Sequence, residues 1–66
     1  MPEPAKRPRF EVGNRVYAVA PTNRHRGKQG VILEIVEPAG DMIYRYVVRF
    51  DDGTDDTLFG FELQLL

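Results

Sequence analysis

The chain has 66 residues and a net charge of −1, with 29% charged and 42% hydrophobic residues. This length supports one small domain, which buries only about 60% of its unfolded surface and has little room for a deep catalytic cleft. The sequence contains no cysteine and one histidine, His25, which excludes disulfides, thiolate metal sites and a histidine-rich metal cluster within one chain.

The sequence favours an intracellular location. No apolar run approaches the roughly 18 residues of a membrane span. Residues 1–9 lack the apolar core of a secretory signal peptide. We therefore expect a cytoplasmic, nuclear or nucleoid protein that contacts no membrane and needs no cofactor.

The two halves of the chain carry opposite charge. Residues 1–30 contain seven bases and two acids, a net +5, whereas residues 31–66 contain two bases and eight acids, a net −6. Such an asymmetry can offer a basic surface to an anionic ligand, or let the two halves neutralise each other. The total lacks the strongly basic balance of dedicated nucleic-acid-binding proteins.

The N-terminal part of the chain predicts an arm, a strand and a loop. Residues 1–9 hold three of the five prolines and three bases without periodicity, which is typical of a flexible basic arm. The domain is then expected over residues 10–66. Strand-forming residues predict a first strand at 16–20, and the polar segment 21–28 predicts an exposed loop.

The second predicted strand, at residues 31–36, has two possible registers. If Glu34 faces solvent, the side chains that face the core are those of Val31, Leu33 and Ile35. A bulge near Gly30 would instead turn Ile32 inward. The pattern leaves both registers open.

The longest predicted strand covers residues 42–50 and alternates with the period of a β-strand. One face of this strand consists of Tyr44, Tyr46, Val48 and Phe50. The opposite face consists of Arg45, Val47 and Arg49. We expect the basic face to point toward solvent.

The segment Asp51-Asp-Gly-Thr54 directly follows this strand and predicts a hairpin. An Asp-Gly pair suits a type I′ turn, which needs positive φ at both central residues. The returning strand is expected at 54–58, one tight helical turn at 59–62, and a last short strand at 63–66.

These elements predict an all-β fold, a small five-stranded closed barrel with a short 3₁₀ turn before the last strand. Closure is expected because an open sheet of this size would leave long edges unpaired and one face wet. The predicted core positions are Val16, Ala18, Ile32, Val48, Phe50, Leu58, Phe61 and Leu63.

Two stretches of the sequence resemble known small barrels. Gly13-Asn-Arg-Val16 with Arg26-Gly-Lys-Gln-Gly-Val-Ile32 resembles a KOW motif, the SH3-like barrel hairpin of ribosomal proteins and transcription elongation factors. Tyr46-Val-Val-Arg-Phe-Asp-Asp-Gly53 with Phe61-Glu-Leu63 is similar to the later strands and closing turn of Tudor-type barrels. The resemblance covers residues 10–66 and implies an SH3-like barrel, a fold that serves as an RNA contact, methyl-lysine or methyl-arginine reader, peptide binder or plain subunit.

The first candidate site is a basic segment on the predicted loop, supplemented by the arm. Clustered arginine and lysine side chains with exposed backbone amides bind phosphate groups. The residues expected to contact nucleic acid are Arg24, His25, Arg26 and Lys28 in the loop and Lys6, Arg7 and Arg9 in the arm. The competing explanation is a solvated loop that balances the acidic turn.

The second candidate site is a set of aromatic residues, Tyr17, Tyr44, Tyr46 and Phe59. Exposed aromatic rings near arginine stack on nucleic-acid bases or surround a quaternary ammonium group. Cross-strand packing is the competing explanation. The loop at 20–27 lacks the aromatic residue that Tudor readers usually place there, which leaves a methyl-cation cage incomplete.

The third candidate site is the acidic group Asp51, Asp52, Asp55 and Asp56. These carboxylates suit a basic partner, and they also suit an ordinary hairpin turn. The glutamate that would complete a calcium loop is absent, because Leu63 lies near that position. We therefore expect no metal site.

The sequence predicts a non-catalytic binding module. Serine and cysteine are absent, and no orienting carboxylate lies near His25 in sequence. We expect contact with nucleic acid or a nucleoprotein complex through the basic loop and arm. The alternative is a Tudor-like protein-interaction module or small subunit that uses the aromatic residues with Asp52 and Asp55. An enzyme assembled at the centre of an oligomer is a third hypothesis, and the oligomeric state stays open.

Overall fold

The structure, a computed structural model, describes residues 8–19, 24–38, 40 and 43–66. These residues form five antiparallel strands and one 3₁₀ turn, without an α-helix in the described part of the chain, so the predicted all-β class is confirmed. The strands are β1 (Arg15–Ala18), β2 (Gln29–Val36), β3 (Arg45–Phe50), β4 (Asp55–Phe59) and β5 (Leu63–Leu65), with the 3₁₀ turn at Gly60–Glu62. None of the described segments is a helix of the length and apolar character that a membrane crossing requires.

The sheet is open, which corrects the prediction of a closed barrel. Its strand order is β4-β3-β2-β1-β5, with every neighbouring pair antiparallel. β4 and β5 are joined by the 3₁₀ turn but, within the described residues, do not pair with each other. The first and last strands are neighbours, and β4 and β5 are the edge strands of the sheet that the described residues form.

A bulge settles the register of β2. The pairing with β3 shifts between Ile32 and Glu34, so Leu33 is the extra residue. Ile32 is buried, as the bulged alternative predicted, although the bulge lies at Leu33 and not near Gly30. Gly30 has a different role, because a Cβ there would lie 2.5 Å from the Arg49 carbonyl oxygen. Gly30 pairs with Phe50 at the end of β3, and a side chain at this position would overlap the β3 backbone.

The β3–β4 hairpin is confirmed, with a turn one residue longer than a type I′ turn. The Phe50 N–H donates to the Thr54 carbonyl (2.8 Å), and the Gly53 N–H donates to the Phe50 carbonyl (2.9 Å). Gly53 has a φ of +92°. A turn followed by one left-handed glycine is the usual form of the three-residue hairpin loop.

The core differs from the prediction at three aromatic residues, because Phe10 and Tyr46 are buried and Phe61 is not. The buried apolar residues are Phe10, Val16, Ala18, Ile32, Tyr46, Val48, Phe50, Leu58 and Leu63. Phe10 packs edge-on against Tyr46, with ring centroids 5.1 Å apart. Phe61 is 68% exposed, which corrects its assignment to the core. Phe61 lies in the 3₁₀ turn, where side chains do not alternate between two faces as they do in a strand.

Candidate functional site

The basic loop (Arg24–Lys28) folds onto the acidic hairpin (Asp51–Asp56). Lys28 Nζ donates to Asp52 Oδ2 at 2.6 Å, and the Arg24 guanidinium lies 3.9 Å from Asp56 Oδ2. A tight turn at Gly27, whose φ is +86°, makes this approach possible. Part of the predicted basic site thus pairs with part of the predicted acidic site.

His25 is the centre of this contact, and it is buried where an exposed loop tip was predicted. Its side chain is only 7% exposed and its ring stacks on Phe50, with centroids 4.4 Å apart and the planes 14° from parallel. Nε2 donates to Asp56 Oδ2 at 2.9 Å, since an ionised carboxylate only accepts. Asp56 is therefore the orienting carboxylate that was absent near His25 in sequence. It lies 31 residues away along the chain.

The hairpin carboxylates are stabilised in their ionised form. Hydrogen bonds from Lys28 and from the Thr54 hydroxyl and N–H hold the pKa of Asp52 well below its usual range. The Arg49 guanidinium donates two hydrogen bonds to Asp55, at 2.8 and 3.1 Å, and lowers the pKa of that carboxyl. The pKa of Asp56 is lowered by the Thr57 N–H and then by His25.

The remaining members of the predicted nucleic-acid site have different fates. Arg26 is exposed and makes no ion pair with any described residue. Arg9 is fixed to the sheet, because its N–H donates to the Tyr46 hydroxyl at 2.8 Å. Lys6 and Arg7 lie outside the described residues.

The four predicted aromatic residues do not form one surface. Tyr46 is 1% exposed and belongs to the core, while Tyr44 is half-buried and packs against it. Tyr17 is half-buried on β1, opposite Gln29 and Gln64 in the neighbouring strands. The packing of the three tyrosines agrees with the cross-strand explanation. Phe59 is the member of the set that lies beside a more exposed ring.

That exposed ring is Phe61, and it defines the surface that we call the aromatic turn (Arg9, Arg45, Phe59 and Phe61). The rings of Phe59 and Phe61 stack with centroids 5.3 Å apart and planes 8° from parallel. The Arg45 guanidinium lies 5.1 Å from the Phe59 centroid. Arg9 Nη1 donates to the Gly60 carbonyl at 3.4 Å, which places a second guanidinium one residue from Phe61.

Local hydrogen bonds hold the aromatic turn in place. The Glu62 carboxylate accepts the Phe59 N–H at 2.9 Å, and the Val19 N–H donates to the Glu62 carbonyl at 2.9 Å. Gly60 is buried against the Tyr46 ring. Sequence reasoning missed this site because Phe61 was counted as core. The sequence feature that indicates this site is Phe59-Gly-Phe61, because a tight turn at this segment cannot bury both aromatic rings.

The described residues contain no group of three or more His, Asp or Glu side chains that could hold a metal ion. We also compared the chain with models of protein families, with curated proteins and with solved structures, and none of these comparisons found a match. The site is therefore interpreted from its own geometry.

Proposed function

We propose that this chain is a non-catalytic binding module that contacts single-stranded nucleic acid through the aromatic turn. The observation that carries the proposal is Phe61, which is 68% exposed although it is a large apolar ring in a hydrogen-bonded turn. One face of the ring stacks on Phe59, and the exposed part of the residue is where a planar ligand would stack.

The chemistry of the aromatic turn suits a nucleotide strand. Bases of any sequence stack on aromatic side chains, and arginines beside them contact the phosphates. Arg9 and Arg45 provide two guanidinium groups on this surface. Arg9 makes no ion pair with a carboxylate among the described residues, which leaves its charge available to a phosphate.

The basic loop is the weaker part of the predicted nucleic-acid site. Its charges on Arg24 and Lys28 already face Asp56 and Asp52, and a phosphate would have to displace these carboxylates. Arg26 is the loop residue that can add a contact at no such cost. We therefore assign Arg26 a supporting contact with a phosphate. We propose that the domain meets nucleic acid within a nucleoprotein complex.

We also propose that the open sheet has the strand arrangement of SH3-like domains of the KOW or Tudor type. The antiparallel pairing of the first strand with the last supports this proposal. The 3₁₀ turn before β5 and the glycine turns at Gly27 and Gly53 support it as well.

The direct test is fluorescence anisotropy with labelled oligo-dT and oligo-U at low salt. We expect Phe61→Ala to weaken binding about tenfold, as loss of one stacked base does. Leu66→Ala is the matched control, because Leu66 is another exposed apolar side chain, 59% exposed, and should leave binding unchanged. Phe61→Trp should retain or strengthen binding.

Salt dependence provides the second arm of the test. One phosphate contact by Arg9 predicts a log–log slope of about 0.7, the value for a single contact on a single strand. Arg9→Ala should reduce that slope, whereas Arg24→Ala should not. Absence of binding at low salt, or binding that Phe61→Ala leaves intact, would refute the proposal.

A protein partner is the second candidate, favoured by the exposed apolar residues near the C-terminus. Phe61, Leu65 and Leu66 are all more than half exposed. Aromatic and arginine side chains are also enriched at protein interfaces. Peptides selected by display on the wild-type protein, and lost on Phe61→Ala but not on Arg26→Ala, would support this candidate instead. Asp52 and Asp55 contribute less to such an interface, because Lys28 and Arg49 already engage them.

A further inference from the structure

The basic loop and the acidic hairpin are joined by backbone hydrogen bonds as well as by ion pairs. The Gly27 N–H donates to the Ala18 carbonyl at 2.8 Å, which holds the loop on β1. The Asp51 N–H donates to the Gln29 carbonyl at 2.8 Å, which holds the start of the hairpin beside the first residue of β2. The two segments are therefore held side by side by bonds other than their ion pairs.

The Asp52 carboxylate occupies the position that a phosphate group would need on Lys28. Its Oδ1 accepts the Thr54 N–H at 3.1 Å and the Thr54 hydroxyl at 2.6 Å, while its Oδ2 accepts Lys28 Nζ at 2.6 Å. Thr54 thus orients the carboxylate toward Lys28. A phosphate oxygen binds a lysine ammonium through the same kind of charge-assisted hydrogen bond, so the two anions compete for one cation.

Asp56 opposes a phosphate in the same way at Arg24. Its Oδ2 accepts His25 Nε2 at 2.9 Å and lies 3.9 Å from the Arg24 guanidinium. Because the His25 ring is buried against Phe50, this carboxylate is held in place by a fixed side chain. A phosphate that approaches Arg24 would meet the negative charge of Asp56.

We propose that Asp52 and Asp56 close the basic loop to nucleic acid and so direct the strand to the aromatic turn. Binding surfaces gain specificity from like charges that oppose the wrong mode of binding. At the aromatic turn, Arg9 donates to the neutral Gly60 carbonyl, so a phosphate there has no described carboxylate to displace. The inference rests on the proposed function for its ligand, a single-stranded nucleic acid, and adds the residues that determine where it binds.

Asp52→Asn tests the inference by fluorescence anisotropy with labelled oligo-dT. The amide oxygen of asparagine still accepts the Thr54 N–H, and asparagine followed by glycine suits a hairpin turn, so the fold is kept. Without the carboxylate charge, Lys28 becomes available to one more phosphate. We expect the log–log slope to rise from about 0.7 to about 1.4, and the affinity at low salt to rise at least about threefold.

The matched control is Glu34→Gln. It removes the same charge from an exposed position on β2, and Glu34 makes no ion pair with any described residue. This variant should leave the slope at about 0.7. Lys28→Met added to Asp52→Asn should return the slope to the wild-type value, and Lys28→Met alone should leave that value unchanged.

Three outcomes would overturn the inference. They are a slope for Asp52→Asn equal to that of Glu34→Gln, a gain that survives Lys28→Met, and a wild-type slope that falls on Lys28→Met alone. The last measurement needs no change in the hairpin, so it does not depend on how a hairpin variant folds. The proposed function fails separately, where Phe61→Ala leaves wild-type binding intact, and even then Asp52→Asn must create binding through Lys28.

Discussion

The two ends of the β3–β4 ribbon use their arginines in opposite ways. At the hairpin end, Arg49 faces Asp55, and the basic loop is fixed to the neighbouring carboxylates. At the other end, Arg45 faces Phe59, and a guanidinium lies against an aromatic ring. At the first end, an arginine and a lysine are paired with carboxylates. The second end presents aromatic surface with cationic groups, and this is where we place the ligand.

The comparison shows that a cluster of like charges in sequence is a poor guide to a binding surface. The +5 and −6 halves of the chain allowed either a basic face or mutual neutralisation, and the fold brings part of each half together. What distinguishes the aromatic turn is an exposed ring, not an excess of charge.

The largest effect is expected from Gly30→Ala at the hairpin end. The added Cβ would lie 2.5 Å from the Arg49 carbonyl oxygen and 2.9 Å from Phe50 Cα, and backbone cannot move aside as a side chain can. We expect a loss of about 1–3 kcal/mol in the free energy of unfolding, as in overpacked sites. Urea denaturation measures it, with Gly40→Ala as the control, because that Cβ would meet nothing within 4 Å. Equal stability of the two variants would contradict the close approach.

His25→Ala should be the next largest. It removes the ring that stacks on Phe50 and leaves the Asp56 carboxylate without its 2.9 Å donor. We expect about 1–3 kcal/mol of destabilisation, the usual cost of losing a buried hydrogen-bonding partner. The neighbouring variant Arg26→Ala should stay within about 0.5 kcal/mol of the wild type, as exposed substitutions do. A small effect of His25→Ala would show that the loop is not fixed to the hairpin.

The pH dependence should also separate the two ends. Asp52, Asp55 and Asp56 have lowered pKa values in the folded protein, so below pH 4 the unfolded chain binds more protons than the folded one. Their stabilising contribution is present above the usual carboxyl pKa and is lost as pH falls through the lowered values. Thermal unfolding from pH 6 to pH 2 measures this loss. Lys28→Met should make the curve shallower, whereas Arg9→Ala should leave its shape unchanged.

The smallest effect on stability is expected from Phe61→Ala. An exposed side chain contributes little to folding, so the free energy of unfolding should change by no more than about 0.5 kcal/mol. Binding of oligonucleotides should nevertheless weaken about tenfold. A large loss of stability would mean that Phe61 is a structural residue, and its exposure would then carry no functional argument.

Most of the fold was predictable from local patterns. Alternation in β3 placed Tyr46, Val48 and Phe50 on one face, and this face is buried. The Asp52-Gly53 pair predicted the β3–β4 hairpin. Closure of the barrel was not predictable, because whether β4 meets β5 depends on how the whole sheet coils. The β2 pattern allowed a bulged register as one of two options, but it placed the bulge near Gly30 and not at Leu33.

The candidate site was less predictable, since its contacts join distant parts of the chain. His25 and Asp56 are 31 residues apart, and Lys28 and Asp52 are 24 apart. No periodicity relates such pairs. Phe61 was misplaced because an aromatic residue close to a strand is usually buried, and only the geometry of the 3₁₀ turn turns it outward.

We place the nucleic acid at the aromatic turn and not at the basic loop. An NMR titration distinguishes these two surfaces residue by residue. The ¹⁵N-labelled protein is titrated with oligo-dT at low and at moderate salt. We expect the amide resonances of Arg9, Arg45 and residues 59–62 to shift most. The resonance of Arg26 should shift weakly and that of Lys28 not at all. Shifts centred on Arg24–Lys28 that leave the aromatic turn unchanged would contradict it.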